Sequence, residues 1–355
     1  MNVYIDNDIL SKFIDESFVK HDNLREFLSS HGQKIALFHA PFPRHKDFDH
    51  LGDIVDQIYD SCQSIIITVS ELHDVTVDFI QKYDHNKITY FLNGNINFHL
   101  KNAKISNWFS WFESTINFYK QNTFILEQLR PFEVKPKYFD ILLGQKRPHR
   151  TYIYDEIINQ KLANDCILTY IKPVSRSFQE RDNSEWIWET PGLEIPDWPM
   201  RHTVLKVKYY DQLVSLSQII PVEIYNQTAY TVVAETWGTD NRFTFNTEKI
   251  VKPILAERLF LVASNQYYLR NLRNLGFKTF DNIIDESYDS QSDYKKRCAM
   301  IVDQIKYLML LPQEQVFEKI LPIVKHNKRM MLETDWHDAF ARELQAALLD
   351  HTRQN

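Results

Sequence analysis

Three short apolar runs near the amino terminus constrain the fold more than any other feature of the sequence. They are Lys34–His39 (KIALFH), Ser64–Val69 (SIIITV) and Lys87–Leu92 (KITYFL), and polar residues follow each run. Helix-like segments separate these runs. Short runs rich in β-branched and aromatic residues are typical of buried parallel strands that helices connect. The sequence therefore predicts an α/β fold, with its ligand-facing loops at the carboxyl ends of the strands.

Those loops are predicted at His39–His50, Ser70–Asp74 and Asn93–His99. An aromatic helical stretch, Asn107–Leu129, comes next, and we assign its Trp and Phe side chains to the core. The segment Val134–Lys137 then interrupts the pattern, which marks a domain boundary. A chain of 355 residues suits two domains of roughly 150 residues each.

A second series of strands and helices follows that boundary. A strand is predicted at Tyr138–Leu143, a loop at Gly144–Arg150 and a helix from about Thr151 to Ala163. Residues 173–202 show no period and read as an irregular insertion, either an acceptor loop or a packed excursion. The remaining predicted elements are strands at Gln227–Ala234 and Leu259–Ala263, a helix that starts near Thr247, and an amphipathic helical segment at Asn327–Leu349. The expected domains are residues 1–134, residues 135–325 and a C-terminal helix in residues 326–355.

Glycine is scarce, with 7 residues in 355, whereas average usage is about 7%. The sequence has no GxGxxG and no GxxxxGK[ST], which disfavours a Rossmann dehydrogenase and a P-loop nucleotidase. A phosphorylated ligand would therefore be held by cationic side chains and a helix amino terminus.

The composition limits the other classes of protein. Apolar residues make up 44% of the chain, so it is expected to be globular throughout. No signal peptide and no apolar run of ~20 residues occurs, which predicts a cytoplasmic protein with no membrane partner. Cys62, Cys166 and Cys298 have no metal-binding spacing, so neither a disulfide framework nor a zinc site is expected. The net charge of -6 disfavours a broad nucleic-acid surface but leaves a local basic cleft open.

The stretch Phe245–Pro253 (FNTEKIVKP) gathers charges at a predicted helix start. Thr247 suits the N-cap, Glu248 and Lys249 lie in the first turn, and Lys252 shares the face of Glu248. Such a carboxylate can bind both hydroxyls of a ribose, while the lysines and the helix dipole neutralise a diphosphate. An ordinary capped helix with a Glu–Lys surface pair is the alternative, but it leaves the nearby charges unexplained. Those additional candidate donor-binding residues are Glu235 and Arg242.

A second basic cluster follows the strand at Tyr138–Leu143. It consists of Lys146, Arg147, His149 and Arg150, and arginine can grip phosphate through two hydrogen bonds. Solvated surface charges are the alternative. With the Glu248 cluster in the same domain, the pattern indicates a nucleotide-diphosphate donor.

The run VVAETWGTDNRFTFNTEKIVKPILAERLFLVASNQYYLRNLRNLGFKTF resembles the donor-binding region of GT-B glycosyltransferases. It is most similar to the TEK motif of the α1,3-fucosyltransferase family, in which a strand and an acidic residue precede F-x-TEK and an apolar strand follows. The resemblance covers about fifty residues. It implies a GT-B fold, in which two Rossmann-like parallel-sheet domains face a cleft. It also implies a nucleotide sugar as co-substrate with no other cofactor and, since no DxD motif follows an apolar strand, no metal.

A fainter resemblance, to the phage DNA β-glucosyltransferases, covers most of the chain. It is carried by SIIITVSELHD, NKITYFLNGNINF and YFDILLGQKRPHR, and by ETDWHDAF near the end. It implies that Arg147 and Arg150 bind the diphosphate, that Glu248 binds the ribose, and that the helix around Trp336 crosses back onto the first domain. Where those enzymes carry a catalytic Asp, this chain has Gly94 between two asparagines, Asn93 and Asn95.

Transfer to a hydroxyl by an inverting enzyme requires a base, while a retaining enzyme requires none. The candidates are Glu71, His73 and Asp74, at the end of a buried strand, and Asp74 could orient His73. A helix-capping role for Asp74 and a surface role for Glu71 remain open. His39 and His45 are held in reserve.

We therefore expect a monomeric glycosyltransferase that uses a nucleotide-diphosphate sugar, with a UDP-sugar as the first expectation. The expected acceptor is hydroxymethylcytosine in duplex DNA, in the host cytoplasm if a phage encodes the chain. A surface glycan, lipopolysaccharide or protein acceptor is the alternative that the acidic net charge favours. A non-catalytic module that binds a sugar nucleotide or nucleic acid also remains open, and Gly94 supports it.

Overall fold

The computed structural model describes residues 1–6, 8–14, 16–40, 45–171, 192–194 and 206–350. Its strands are β1 (Asn2–Ile5), β2 (Val19–His21), β3 (Lys34–Ala40), β4 (Ser64–Val69), β5 (Ile88–Leu92), β6 (Gly94–Ile96), β7 (Lys104–Asn107), β8 (Lys137–Gln145), β9 (Cys166–Ile171), β10 (Leu193–Glu194), β11 (Lys206–Tyr209), β12 (Gln212–Ser215), β13 (Thr228–Ala234), β14 (Phe243–Phe245) and β15 (Phe260–Ala263).

The α-helices lie between and after these strands. They are α1 (Asp8–Ser11), α2 (Leu24–Ser29), α3 (His45–Ile58), α4 (Asp74–Lys82), α5 (Ser110–Gln121), α6 (Thr123–Glu127), α7 (Pro148–Asn159), α8 (Val222–Gln227), α9 (Glu248–Leu255), α10 (Tyr268–Asn274), α11 (Tyr294–Met309), α12 (Gln313–Glu333) and α13 (Trp336–Asp350). Short 3₁₀ turns occur at Ala163–Asp165, Leu216–Gln218 and Glu286–Ser290.

The described residues form two compact units. The first comprises Met1–Glu113, Arg242–Asn246 and Asp335–Asn355, and the second comprises Ser114–Asn241 and Thr247–Thr334. The chain first passes from one to the other within α5, earlier than the boundary expected at residue 134. The later half of α5 belongs to the second unit, where the Tyr119 hydroxyl accepts a hydrogen bond from the backbone N–H of Ile220. The limits at 134 and 325 stay predictions for independently folding domains.

The first unit is built on a six-stranded sheet in the order β2-β1-β3-β4-β5-β7. Every neighbouring pair in it is parallel. The three apolar runs of the sequence form its centre, β3 to β5, and β4 is buried along its whole length. Helix α3 begins inside the segment predicted as a loop at His39–His50.

Helix α13 packs on the core of the first unit. The Phe340 ring stacks on Trp108, with ring centroids 5.1 Å apart, and Trp336 meets Phe109 and Phe112 edge to face. Trp108 and Phe340 belong to an apolar cluster that includes residues of β1, β3, β4 and β5. Helix α13 thus lies in the first unit, whereas residues 326–333 belong to α12 of the second unit.

Strands β6 and β14 form a small antiparallel pair in the first unit, in which Gly94 lies opposite Phe245. The predicted loop Asn93–His99 therefore contains a strand. A Cβ atom on Gly94 would lie 2.0 Å from the carbonyl oxygen of Thr244, so only glycine fits in this pair. The close approach of the two backbones explains why the chain carries no acidic side chain at this position.

The second unit is built on a four-stranded sheet in the order β15-β13-β8-β9, again with all neighbours parallel. Strand β8 extends to Gln145 and α7 starts at Pro148, so the loop predicted at Gly144–Arg150 is shorter than expected. Proline favours the first position of a helix, which explains the early start of α7. The insertion predicted at 173–202 lies outside the described residues apart from 192–194.

A buried ion pair holds the central strands of this second sheet together. Arg258 donates to the Asp140 carboxylate of β8 at 2.8 Å, and both side chains are almost fully buried. Its guanidinium also donates to the backbone oxygens of Thr228 and Tyr230 in β13. The pair therefore links β8 to the first half of β13.

The predicted α/β class is confirmed: parallel sheets form both units, and a C-terminal helix packs on the first. The cleft that this class implies stays a prediction. No helix in the described ranges is long and apolar enough to cross a membrane.

Candidate functional site

The sheet of the second unit has one point where its strand order reverses. From β8 the chain moves outward to β9 on one side, and it later returns to β13 and β15 on the other. In open parallel sheets, ligands bind outside the carboxyl ends of the strands at such a point. Gln145 ends β8 and Ala234 ends β13, so the side chains that follow them are the candidates.

The first group follows β8 and leads into α7. Arg147 is the N-cap residue of this helix, but its side chain makes no cap hydrogen bond. The guanidinium instead lies over the Trp237 ring, 4.8 Å from the ring centroid, and Lys146 beside it is exposed. Two cations and the positive end of the helix dipole thus meet at the end of β8, an arrangement suited to an anion.

His149 and Arg150, which the sequence groups with these cations, point into the protein. The Arg150 guanidinium donates to the carbonyl oxygens of Ala234 and Glu235 at 2.9 and 2.8 Å. The His149 Nε2 donates to the Glu235 carbonyl at 3.0 Å, and the ring is 1% exposed. Burial, together with the charge of Arg150, lowers the pKa of His149 to about 3. Both side chains therefore fix the end of β13, and the neutral His149 ring is unsuited to bind phosphate.

Glu235, a predicted donor-binding residue, is fully buried at the end of β13. Its carboxylate accepts hydrogen bonds from the Thr247 hydroxyl at 2.7 Å and from the Tyr268 hydroxyl at 3.0 Å. Burial raises its pKa. These contacts give Glu235 a positioning role, because it fixes the residue that caps α9. The sequence reasoning missed Tyr268, whose signal was the pair of tyrosines after the last strand.

The second group lies at the start of α9. Thr247 is the N-cap, as predicted, and its hydroxyl oxygen accepts the backbone N–H of Lys249 at 3.2 Å. The Glu248 side chain is nearly buried, and its Oε1 lies 3.0 Å from Lys249 Nζ. Burial alone would raise the pKa of Glu248, but the charges of Lys249 and Lys252 lower it below its ordinary value. An ionised carboxylate is therefore held beside two lysines, and Lys252 also donates to the carbonyl oxygen of Ser217 at 2.8 Å.

Arg242 does not belong to this group in the structure. It lies in the first unit, and its guanidinium donates to the Asp78 carboxylate of α4 at 2.6 Å. The sequence places Arg242 six residues before Glu248, but β14 carries it into the first unit, where it pairs with β6.

The proposed base residues lie in the first unit, after β4. His73 Nε2 is 3.4 Å from Glu71 Oε1, and both side chains are about one-fifth exposed. Asp74 is exposed and begins α4, where its carboxylate accepts the backbone N–H of Val75 at 2.9 Å. Glu71 is thus the carboxylate that lies beside His73, and Asp74 satisfies a backbone group at the helix start.

Hydrogen bonds from outside fix the loop that carries Glu71 and His73. The carbonyl oxygen of Ser70 accepts the Asn93 amide at 3.0 Å and the Trp111 indole at 2.9 Å. Of the reserve residues, His39 is buried against Thr68, with 2.8 Å between its Nδ1 and the hydroxyl oxygen, and burial lowers its pKa to about 4. The His45 side chain lies outside the described residues. In the part of the chain that the structure describes, no three or more His, Cys, Asp or Glu side chains are grouped to hold a metal.

No family model matches the chain, and no curated protein matches it. A solved structure of an α1,3-fucosyltransferase with GDP is similar to the chain, with 9% sequence identity and a TM-score of 0.45. The similarity covers 100% of this chain and 91% of that one. At this level it assigns no function.

Proposed function

We propose that this chain is a glycosyltransferase that moves a sugar from a nucleotide-diphosphate sugar to a hydroxyl acceptor. One observation carries the proposal. At the point where the strand order of the second sheet reverses, the start of α7 brings Lys146 and Arg147, and the residues after β13 lead to Glu248 and Lys249 at the start of α9. The resemblance of the FNTEKIVKP stretch to the donor-binding region of GT-B enzymes supports the same assignment.

The residues at the starts of α7 and α9 would bind different parts of the donor. Glu248 would accept hydrogen bonds from the ribose hydroxyls, because an ionised carboxylate has lone pairs for several donors. Lys146, Arg147 and Lys249 would bind the diphosphate, with the dipoles of α7 and α9 adding to their charge. The buried residues of the cluster hold the strand ends and the cap of α9 in place. They are His149, Arg150, Glu235 and Thr247.

In the proposed reaction the acceptor oxygen bonds to the anomeric carbon of the sugar. The bond from that carbon to the diphosphate oxygen breaks, and the electron pair leaves with the diphosphate, whose charge the cations stabilise. In an inverting reaction the acceptor proton passes to a base, for which His73, with Glu71 beside it, stays the predicted residue, whereas a retaining reaction requires none. Gly94 leaves no room for an acidic side chain at the position where the phage enzymes carry theirs.

Nucleotide binding is the first test. Isothermal titration of the wild-type chain with GDP, UDP, ADP and CDP should show binding of at least one of these nucleotides. Glu248→Gln should weaken it by about tenfold or more, since a charge-assisted hydrogen bond is lost. Glu223→Gln is the matched control, because Glu223 is an exposed acid in the first turn of α8, and it should bind as the wild type does.

Turnover is the second test. Hydrolysis of a nucleotide sugar, or its transfer to an acceptor panel, should be lost in Glu248→Gln and reduced in His73→Gln. The panel includes duplex DNA with hydroxymethylcytosine, and nucleoside mass spectrometry would detect a glucosylated base. Binding to that DNA should weaken steeply with salt if DNA is the acceptor. The DNA acceptor and the preference for UDP stay predictions that these arms decide.

Two outcomes would contradict the proposal. If the wild-type chain binds none of the nucleotides, the donor site is wrong. If it binds a nucleotide but neither hydrolyses nor transfers any sugar across the panel, the chain is a non-catalytic sugar-nucleotide-binding module.

A further inference from the structure

A pocket of about 360 Å³ opens beside the start of α7, within the second unit. Lys146 and Arg147 line one end of it, next to the carboxyl end of β8. The rest of the lining comes from Pro148, Thr151, Tyr152 and Asp155 of α7 and from Tyr294, the first residue of α11. Small-molecule sites have volumes of about 300–1,000 Å³ and combine apolar walls with a few polar groups, so this pocket is large enough for a sugar.

The regular geometry of α7 accounts for the lining. Arg147, Thr151 and Asp155 are spaced four residues apart and therefore lie along one face of the helix. The Thr151 hydroxyl is hydrogen-bonded to the Tyr170 hydroxyl at 2.8 Å, and Tyr170 stacks on Tyr154 with centroids 4.6 Å apart. These contacts hold the middle of the lining face in place and leave Asp155 exposed at its far end.

The two ends of the pocket have different chemistry. The end at Arg147 is cationic and suits phosphate, whereas Asp155 lies further along α7, and Tyr152 and Tyr294 add two aromatic rings to the lining. A tyrosine ring packs well on the C–H face of a pyranose because the tyrosine side chain has a large apolar face and a polar tip. A carboxylate with two oxygens can accept hydrogen bonds from two neighbouring sugar hydroxyls. The lining beyond Arg147 is therefore suited to a saccharide, since both cations of the lining, Lys146 and Arg147, lie at the start of α7.

We infer that this pocket holds the glycosyl group of the donor, with the Asp155 carboxylate accepting hydrogen bonds from neighbouring sugar hydroxyls. The inference rests on the proposed function, which places the ribose at Glu248 on α9 and the diphosphate at Arg147 on α7. The group on the other side of the diphosphate then extends along α7, past Thr151, towards Asp155, with Tyr294 in the wall of the same pocket. Asp155 and Tyr294 thereby become the residues that distinguish a nucleotide sugar from the free nucleotide.

The test compares two ligands on the same proteins. The affinities of the wild type, Asp155→Asn, Tyr294→Leu and Asp165→Asn are measured by isothermal titration with GDP and GDP-fucose, and with UDP and UDP-glucose. Asp165 is an exposed aspartate of the same unit outside the pocket, so its variant controls for the loss of one negative charge. Asp155→Asn and Tyr294→Leu should each weaken the binding of the nucleotide sugar by about five- to tenfold. Their affinity for the nucleoside diphosphate alone, GDP or UDP, should stay within about twofold of the wild type. The Asp165→Asn control should change the affinity for neither the nucleoside diphosphate nor the nucleotide sugar.

The possible results separate this inference from the proposed function. If the wild type binds neither ligand of either pair, the proposed function fails and the sugar pocket fails with it. If the wild type binds a nucleotide through Glu248 but both pocket variants bind the nucleotide sugar normally, only the pocket assignment is wrong. If the pocket variants weaken the binding of GDP or UDP as much as that of the nucleotide sugar, the pocket holds the nucleotide portion of the donor, which also overturns the inference. Circular dichroism and the melting temperature of each variant show whether it is folded.

Discussion

Acid should destabilise the second unit through a single histidine, His149. Its ring is 1% exposed, and its Nε2 donates to the Glu235 carbonyl at 3.0 Å. Burial lowers its pKa to about 3, whereas a histidine in the unfolded chain has a pKa of about 6.5. As the pH falls below about 6.5, the His149 ring becomes protonated in the unfolded chain but stays neutral in the folded chain, which favours unfolding. The contribution of His149 to stability is therefore complete above pH 6.5 and is lost progressively between 6.5 and 3.

The size of the effect at pH 5 depends mainly on the unfolded state. That pH is about 1.5 units below the pKa of the unfolded histidine, and each unit corresponds to about 1.4 kcal/mol, so the loss is about 2 kcal/mol. Any folded-state pKa of about 4 or lower gives nearly the same figure, since the ring then stays neutral at pH 5.

Urea denaturation at pH 7 and pH 5, on the wild type and on His149→Gln, would measure this loss. Glutamine keeps an amide N–H that can donate to the Glu235 carbonyl, but it does not titrate. The wild type should lose about 2 kcal/mol more than the variant between the two pH values. Other groups titrate in both proteins and cancel in the comparison. Equal losses in the two proteins, or a His149 resonance that titrates near pH 6.5 in the folded chain, would refute the reasoning.

Two further predictions concern the backbone pair at Gly94 and the buried ion pair. Gly94→Ala places a Cβ 2.0 Å from the Thr244 carbonyl oxygen and should lower the free energy of unfolding, measured in urea, by about 1–3 kcal/mol. Asn95→Ala, one residue along β6, should lower it less. Equal losses in the two variants would contradict the steric explanation. Arg258→Met leaves the Asp140 carboxylate buried without its cation and should lower the free energy of unfolding by about 3–5 kcal/mol in the same measurement. Adding Asp140→Leu should restore most of that loss. A loss of less than about 1 kcal/mol in Arg258→Met alone would show that the ion pair is not needed for stability.

The central strands could be predicted from the sequence because their side chains are buried along almost their whole length. Strand β4 has the predicted bounds, and β3 and β5 differ from theirs by one residue. The short strands β1, β2, β6, β7 and β14 were not predicted. Runs of three or four residues show too little periodicity, and strand pairing such as that of β6 with β14 depends on contacts distant in sequence.

The candidate site was predictable where it depends on local rules and not where it depends on packing. The Thr247 cap and the first-turn position of Glu248 follow from spacing along one helix. Sequence spacing suggested Lys252 as the partner of Glu248, whereas in the structure Glu248 forms its ion pair with Lys249. The sequence of a basic loop does not show which of its side chains are buried. The inward orientation of His149 and Arg150 depends on their hydrogen bonds to the end of β13, which only the structure shows.

Helix α13 gives the first unit an order of assembly during synthesis. Phe340 and Trp336 complete the apolar core of that unit, yet the ribosome makes them only after the whole second unit. The β14 segment that pairs with β6 is also made long after β6 itself. Domains generally fold as they emerge, but here the first-made segment must wait with part of its core open to solvent. The second unit can thus be compact before the first closes, and a chain arrested before residue 336 would leave Trp108 and Phe91 without the helix that covers them.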